Sequence, residues 1–210
     1  MPHAVVRQYR FRCLLASLAA ILILVPVADY AVYSQYLLSL LFTFTLLAAV
    51  YAASGNKHAM ALAIALAFPA AVIFWIYGPD RHTLPSMISI ALTIAVNFLV
   101  IGLVLVEVFK AERADAEILS GALAVYLLMA VTWAALFYLI EGLEPGSFAV
   151  ANRNDFDSFL YFSLTTLSTL GYGDITPVSK LARIWSALES ITGVLYAAVL
   201  IARLVSMYRR

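Results

Sequence analysis

The most informative part of this chain of 210 residues is a nonapeptide near its carboxyl end, Thr166-Leu167-Ser168-Thr169-Leu170-Gly171-Tyr172-Gly173-Asp174. Glycine, which tolerates left-handed backbone dihedrals, recurs there at every second position, as Gly171 and Gly173. A backbone with such alternating dihedrals points successive carbonyl groups to the same side. Thr169 can add its hydroxyl oxygen at one end of the row, and we expect the Tyr172 ring to point away from it. The pattern predicts a row of oxygens that can replace the water shell of a cation.

The segments around the nonapeptide are apolar enough to lie in a membrane. The chain is 64% hydrophobic and 12% charged, about half the charged fraction of a soluble domain. A membrane-spanning helix needs about 20 apolar residues. The sequence therefore predicts an all-α integral membrane protein with six spans, near residues 12–28, 33–53, 58–77, 84–109, 117–141 and 181–207. The shorter amphipathic segment 155–168 is too short to cross and is expected to be a re-entrant helix. The filter that follows it is non-helical, and such backbone at membrane depth must line a cavity or lie within protein.

The nonapeptide resembles the selectivity filter of the potassium channel family, which reads Thr-x-x-Thr-x-Gly-Tyr-Gly-Asp. All fixed positions are matched, by Thr166, Thr169, Gly171, Tyr172, Gly173 and Asp174. An ordinary extracellular glycine turn is the alternative, but six matched positions between two apolar segments argue against it. In potassium channels it is established that carbonyl oxygens from four filter strands replace the hydration shell of K+. The resemblance, strongest over residues 118 to 207, therefore implies a homotetrameric K+-selective channel that binds K+ at Thr169, Leu170, Gly171, Tyr172 and Gly173.

The resemblance also implies residues that support the filter. In the family, the position of Asp174 hydrogen-bonds to the re-entrant helix and helps to attract cations. A carboxylate that relatives often carry in that helix is replaced by Thr165, so this support is expected to differ in detail. Tyr161 and Phe162 stand where many members have two tryptophans, and they form either a cuff around Tyr172 or ordinary packing. The predicted support set is Thr165, Thr166, Ser168, Asp174, Tyr161 and Phe162.

The last span contains the candidate gating residues. Glu189 and Gly193 are four residues apart, hence on one helix face. Gly193 aligns with the hinge glycine of the family, and close helix packing is its alternative role. Glu189 is an ionisable group inside the membrane, where a functional role is the default. We expect it behind the filter, against the re-entrant helix or the fifth span, in a protonated form that makes conductance depend on pH. The resemblance places three further residues along the conduction path, Ala197, Ile201 and Val205.

Two domains are predicted, a four-helix sheath over residues 1–110 and a pore domain over residues 111–210. The six-span layout resembles that of voltage-gated channels, whose sensor needs several positive charges within the membrane. Residues 83–106 contain no Lys or Arg, so steep voltage gating is not expected. The segment Lys110–Glu117 is rich in helix formers and is expected to be a short helical link. So short a link is expected to keep the sheath beside the pore of its own chain. Arg203, near the inner end of the last span, is expected to snorkel to lipid headgroups.

The distribution of lysine and arginine predicts the orientation in a cell membrane. With both termini cytoplasmic, nine of the 13 Lys and Arg residues lie inside and the filter faces outward. The basic residues before the first segment also suit a cleaved signal peptide, but Pro26 would stand at the third residue before a cut after Ala28. We therefore interpret the segment as a span. Because the sequence ends soon after the last span, no soluble regulatory domain is expected.

Other classes of function are less compatible with the composition. The net charge of +1 and the absence of a charged tail argue against a nucleic-acid partner, so membrane lipids and further copies of the chain are the expected partners. Cys13 is alone, the histidines are scattered, and nothing resembles an enzyme or an organic cofactor site. A potassium-uptake transporter subunit would carry four degenerate filter repeats in one chain. A weakly selective cation channel or a non-conducting regulatory subunit would be expected to lose Tyr172 or a filter glycine, and neither is lost.

Overall fold

The computed structural model describes residues 9–28, 34–78, 82–150 and 155–208. These residues form seven α-helices and a two-stranded sheet. The helices are α1 Arg10–Ala28, α2 Ser34–Ala52, α3 Lys57–Tyr77, α4 Leu84–Lys110, α5 Ala116–Leu143, α6 Phe156–Leu167 and α7 Lys180–Tyr208. The strands are β1 Phe148–Val150 and β2 Ile175–Pro177, and a single 3-10 turn, Ala53–Gly55, joins α2 to α3.

Four of these helices are long and apolar enough to cross a membrane: α3, α4, α5 and the Lys180–Met207 part of α7. Helices α1 and α2 have 19 residues each and lie where the first two spans are predicted. Helix α6 has 12 residues and is too short to cross, as expected for the re-entrant segment. The helical membrane architecture is therefore confirmed, and the count of six spans stays a prediction.

The sheath helices α1 and α4 pack along α5 within the chain. Gly121 permits the approach of α1, because a Cβ atom at that position would lie 2.9 Å from Cδ2 of Phe11. The start of α1 is also held by polar contacts. Arg10 forms a partly buried ion pair with Glu107 at the end of α4, and the backbone N–H of Phe11 donates to Glu117 Oε1 at 2.6 Å. Whether the sheath lies beside its own pore or that of a neighbouring subunit stays a prediction.

The link between sheath and pore is not helical, so the prediction of a helical link over Lys110–Glu117 is wrong. Ala111 is extended, with φ −63° and ψ 133°. Asp115 is the N-cap of α5, and its side chain accepts a hydrogen bond from the N–H of Ile118 at 2.8 Å. An N-cap residue needs non-helical dihedrals, so α4 and α5 cannot merge through this segment despite its good helix formers.

Several predictions concern residues outside the described part of the chain. The orientation depends partly on the charges of five such residues, Arg7, Arg81, Arg153, Arg209 and Arg210. His3, one of the scattered histidines, is also outside it. The side chain of Pro26, used against the signal peptide, is likewise not described. The structure therefore leaves the orientation as a prediction.

Candidate functional site

The re-entrant helix α6 is positioned by an aromatic cluster. Its N-cap is Asp155, and Asp157 lies in its first turn. Phe159 and Phe162 are buried on one face of α6, and both contact the ring of Phe148 edge-on, with centroid distances of 5.2 and 5.4 Å. Phe162 also packs edge-on against Phe137 of α5 at 5.2 Å. This cluster fixes the orientation of α6 and therefore the position at which the nonapeptide begins.

The nonapeptide has the alternating backbone that its glycines predict. Thr169, Gly171 and Gly173 have φ values of 60°, 53° and 80°, and Thr169 is the one non-glycine with positive φ among the described residues. A threonine rarely adopts this conformation, so the surrounding contacts must stabilise it. The backbone oxygen of Thr165 accepts hydrogen bonds from the N–H groups of Leu170 and Gly171 at 2.8 and 3.1 Å. The start of the ribbon is thereby attached to the last turn of α6.

The other polar groups of this turn form hydrogen bonds at the carboxyl end of α6. Thr165 Oγ1 donates to the oxygen of Phe162 at 2.9 Å. The oxygen of Thr166 accepts from the N–H of Thr169 at 3.0 Å, and Ser168 Oγ donates to the oxygen of Leu164 at 2.6 Å. Thr165 thus supports the ribbon through its backbone oxygen, whereas relatives often have a side-chain carboxylate at this position. Support by a backbone oxygen cannot be predicted from a sequence pattern.

Tyr161 is the side chain that braces the outer half of the ribbon. Its ring is stacked on that of Tyr172, with centroids 6.4 Å apart and an interplanar angle of 11°. Burial, followed by the interaction of its hydroxyl group with the Asp174 carboxylate, raises the pKa of Tyr161. Phe162 belongs instead to the aromatic cluster on the other side of α6. Of the two aromatic candidates for a cuff, Tyr161 contacts Tyr172 within the chain.

The loop at the outer mouth is held by hydrogen bonds that the sequence does not predict. Glu141 lies in the last turn of α5, and its buried carboxylate accepts hydrogen bonds from the N–H groups of Gly146 and Phe148 at 2.9 and 3.1 Å. Strand β1 then pairs antiparallel with β2, directly after the ribbon. The oxygen of Ser147 also accepts from the N–H of Val178 at 2.7 Å. The Glu141 carboxylate therefore organises the loop that supports β2.

Helix α7 contacts α6 through Glu189 and Gly193. The Glu189 side chain is fully buried, and its Oε1 atom lies 2.5 Å from Ser163 Oγ. A Cβ atom at position 193 would lie 2.1 Å from the backbone oxygen of Leu167, so glycine is needed for this approach. Both residues therefore lie behind the ribbon, on the face that the four-residue spacing predicts. The contact agrees with the packing role considered for Gly193.

The inner half of α7 presents the other gating candidates on its free surface. Ala197, Ile201 and Val205 are all exposed in the single chain. Arg203 does not extend toward lipid headgroups, as its snorkelling would require. Its Nη2 atom donates to the backbone oxygens of Phe109 and Ala111 at 2.8 and 2.7 Å, because carbonyl groups at the end of α4 have no partner within the helix and need donors.

The ribbon lies on an uncovered surface of the subunit. Residues 168–174 are exposed, and 11% of the membrane-spanning part of α7 is buried, against 61% of α5. Polar backbone at membrane depth must face a water-filled cavity or other protein. The arrangement can therefore line an aqueous path only if further protein covers this surface.

Comparison with known proteins agrees with the geometry. A family model described as an ion channel matches residues 125–210, which include α6, the ribbon and α7. The chain is 31% identical over 108 residues to the voltage-gated potassium channel Kch of Escherichia coli, covering 49% of this chain and 24% of that protein. It is 34% identical over 83 residues to the inward rectifier potassium channel Kirbac3.1 of Paramagnetospirillum magnetotacticum, covering 40% and 25%. It is 36% identical over 64 residues to potassium channel K2 of Plasmodium berghei, covering 28% and 4%.

The family model matches the pore half of the chain. The chain spans a quarter or less of the length of each of these relatives. No solved structure matches it significantly. The matched residues nevertheless contain the complete nonapeptide and the two helices that hold it. The resemblance to the potassium channel family is thus confirmed, and the match to an ion channel domain extends over residues 125–210.

Proposed function

We propose that this chain is the subunit of a homotetrameric K+-selective channel, which passes K+ passively through a fourfold pore. The observation that carries the proposal is the backbone of residues 169–173, where every second residue has positive φ. Four such ribbons around one axis give rings of carbonyl oxygens from Thr169, Leu170, Gly171 and Tyr172, with Gly173 at the outer end. K+ is the transported ion held between these rings, and no organic cofactor is required.

The tetramer is supported by what the single chain leaves uncovered. The ribbon and the apolar face of α7 need other protein beside them, and three more copies supply it. The carboxyl end of α6 carries the partial negative charge of the helix dipole. Four such ends directed at one cavity would stabilise a cation at the membrane centre. The spans are proposed to lie in the cell membrane with both termini cytoplasmic.

We further propose that voltage does not gate this channel steeply. Between Leu84 and Phe109, helix α4 contains one ionisable residue, Glu107, and it pairs with Arg10 of α1. Moving a single paired charge gives little work in the membrane field, since steep gating needs several charges per subunit.

A liposome flux assay tests the proposal. The purified chain is reconstituted without an energy source, and K+ or Na+ gradients are applied in turn. Rapid K+ flux with little Na+ flux is expected. Equal fluxes would indicate the weakly selective cation channel, no flux the non-conducting subunit, and flux only with an energy source the transporter subunit.

Two glycine variants make the assay specific for the filter. Gly171 and Gly146 both have positive φ and nothing within 4 Å of an added Cβ atom, so alanine strains the backbone similarly at either position. The cost is about 1–2 kcal/mol in both cases. We expect Gly171→Ala to abolish selective K+ flux and Gly146→Ala to retain it. Equal flux through the two variants would contradict a filter at residues 169–173.

A further inference from the structure

Ser163 lies at a contact between three helices. Its Oγ atom is 2.8 Å from the backbone oxygen of Ala130 on α5 and 2.5 Å from Oε1 of Glu189 on α7. All three residues are fully buried. Oxygen atoms this close need a proton between them for the contact to be a hydrogen bond. Two protons are therefore needed around Ser163 Oγ.

The hydroxyl group of Ser163 carries one proton, and the carbonyl group of Ala130 carries none. If Ser163 donates to Glu189, the contact with Ala130 has no proton. If Ser163 donates to Ala130, the second proton must come from Glu189 as a neutral carboxyl group. Only this second assignment makes both contacts hydrogen bonds.

The surroundings of Glu189 also favour a neutral group. Its Oε2 atom has no hydrogen-bond partner, and it takes part in neither of the ion pairs found in the described part of the chain. Helix α6 faces it with the hydroxyl group of Ser163. Helix α5 faces it with Tyr126, a titratable side chain that interacts with it electrostatically but is not a cation. An unpaired carboxylate in such a place would be costly.

We propose that Glu189 is a protonated positioning residue, whose carboxyl group donates to Ser163 while Ser163 donates to Ala130. These two hydrogen bonds tie α6 to both α5 and α7. One turn later, Gly193 and Leu167 keep α6 and α7 in contact just before the ribbon begins. The inference rests on the proposed function, because the helix held in this way carries the filter.

Infrared spectroscopy of the full chain in lipid tests the proton itself. At neutral pH we expect the C=O band of a protonated carboxylic acid, shifted in D2O and missing from the Glu189→Gln variant. Identical carboxyl regions in the two spectra would overturn the proposal. Because this readout needs no ion flux, failure of the proposal is distinguishable from failure of the proposed function.

Flux measurements test the positioning role. The amide of Glu189→Gln can still donate to Ser163, so its K+ to Na+ flux ratio should stay within about twofold of the parent ratio. Ser163→Ala should lower the ratio about tenfold, which corresponds to about 1.4 kcal/mol, the size of a lost buried hydrogen bond. At alkaline pH, parent flux should fall reversibly and flux through Glu189→Gln should not. Matching pH profiles, or a Glu189→Gln variant as impaired as Ser163→Ala, would contradict the proposal.

Discussion

Substitution of Gly193 by alanine separates the two roles considered for this residue, hinge and packing surface. An added Cβ atom would lie 2.1 Å from the backbone oxygen of Leu167 and 3.0 Å from its carbonyl carbon. Real Cβ atoms essentially never approach other atoms closer than 3.0 Å, so α7 or the end of α6 must move by about 0.9 Å. The atom in the way belongs to the backbone, so no side-chain rotation relieves the contact. Leu167 is two residues before Thr169, and the movement therefore reaches the ribbon.

The expected energetic cost follows from overpacking, at about 1–3 kcal/mol per subunit. Two other glycines provide matched comparisons. At Gly121 the added atom would meet the Phe11 ring at 2.9 Å, and this side chain can move, so the cost should be smaller. At Gly102 nothing lies within 4 Å, so alanine should have no steric cost there. All three substitutions lie within helices, where alanine itself is favoured over glycine.

Thermal unfolding and the liposome K+ to Na+ flux ratio together measure the effect. We expect stability to decrease in the order Gly102→Ala, Gly121→Ala, Gly193→Ala, and the flux ratio to fall for Gly193→Ala alone. A Gly193→Ala channel as stable and selective as Gly102→Ala, altered only in open probability, would refute the packing argument and favour the hinge.

Three further predictions concern the contacts around the pore. Tyr161→Phe retains the ring stacked on Tyr172 but loses the hydroxyl group that interacts with Asp174; selectivity in the flux assay should fall by several-fold, about 1 kcal/mol, and unchanged selectivity would argue against a role for this interaction. Glu141→Ala removes the acceptor of two backbone N–H groups, and chemical denaturation should show a loss of about 2–3 kcal/mol, against almost none for the exposed Glu144→Ala. Arg203→Met releases the inner end of α7 from the link, so single-channel recordings should show a changed open probability at constant selectivity; a changed selectivity would contradict this separation of roles.

The sequence correctly predicts features that depend on residues close together in the chain. The spacing of Gly171 and Gly173 predicts the alternating backbone, and the structure adds Thr169 to the same alternation. The four-residue spacing of Glu189 and Gly193 correctly places both on the face toward α6. Long apolar runs likewise predict the helices, since crossing a membrane requires a minimum length.

The contacts that hold the filter depend on tertiary structure and could not be read from the sequence. Glu141 stands beside glycine and proline, a composition typical of solvated loops, yet it is buried by the loop that it organises. Strands β1 and β2 have three residues each, too few to show a periodic pattern. The partner of Glu189 is a serine 26 residues away, and serine in an amphipathic helix carries no distinctive signal.

We propose that four ribbons bind bare K+ through main-chain oxygens. Anomalous X-ray scattering from crystals of the full chain in which Rb+ or Tl+ replaces K+ can locate the bound ions. We expect a row of anomalous peaks on a fourfold axis, between the carbonyl oxygens of residues 169–172. A monomer, or a tetramer whose axis holds no such peaks because these oxygens point elsewhere, would contradict it.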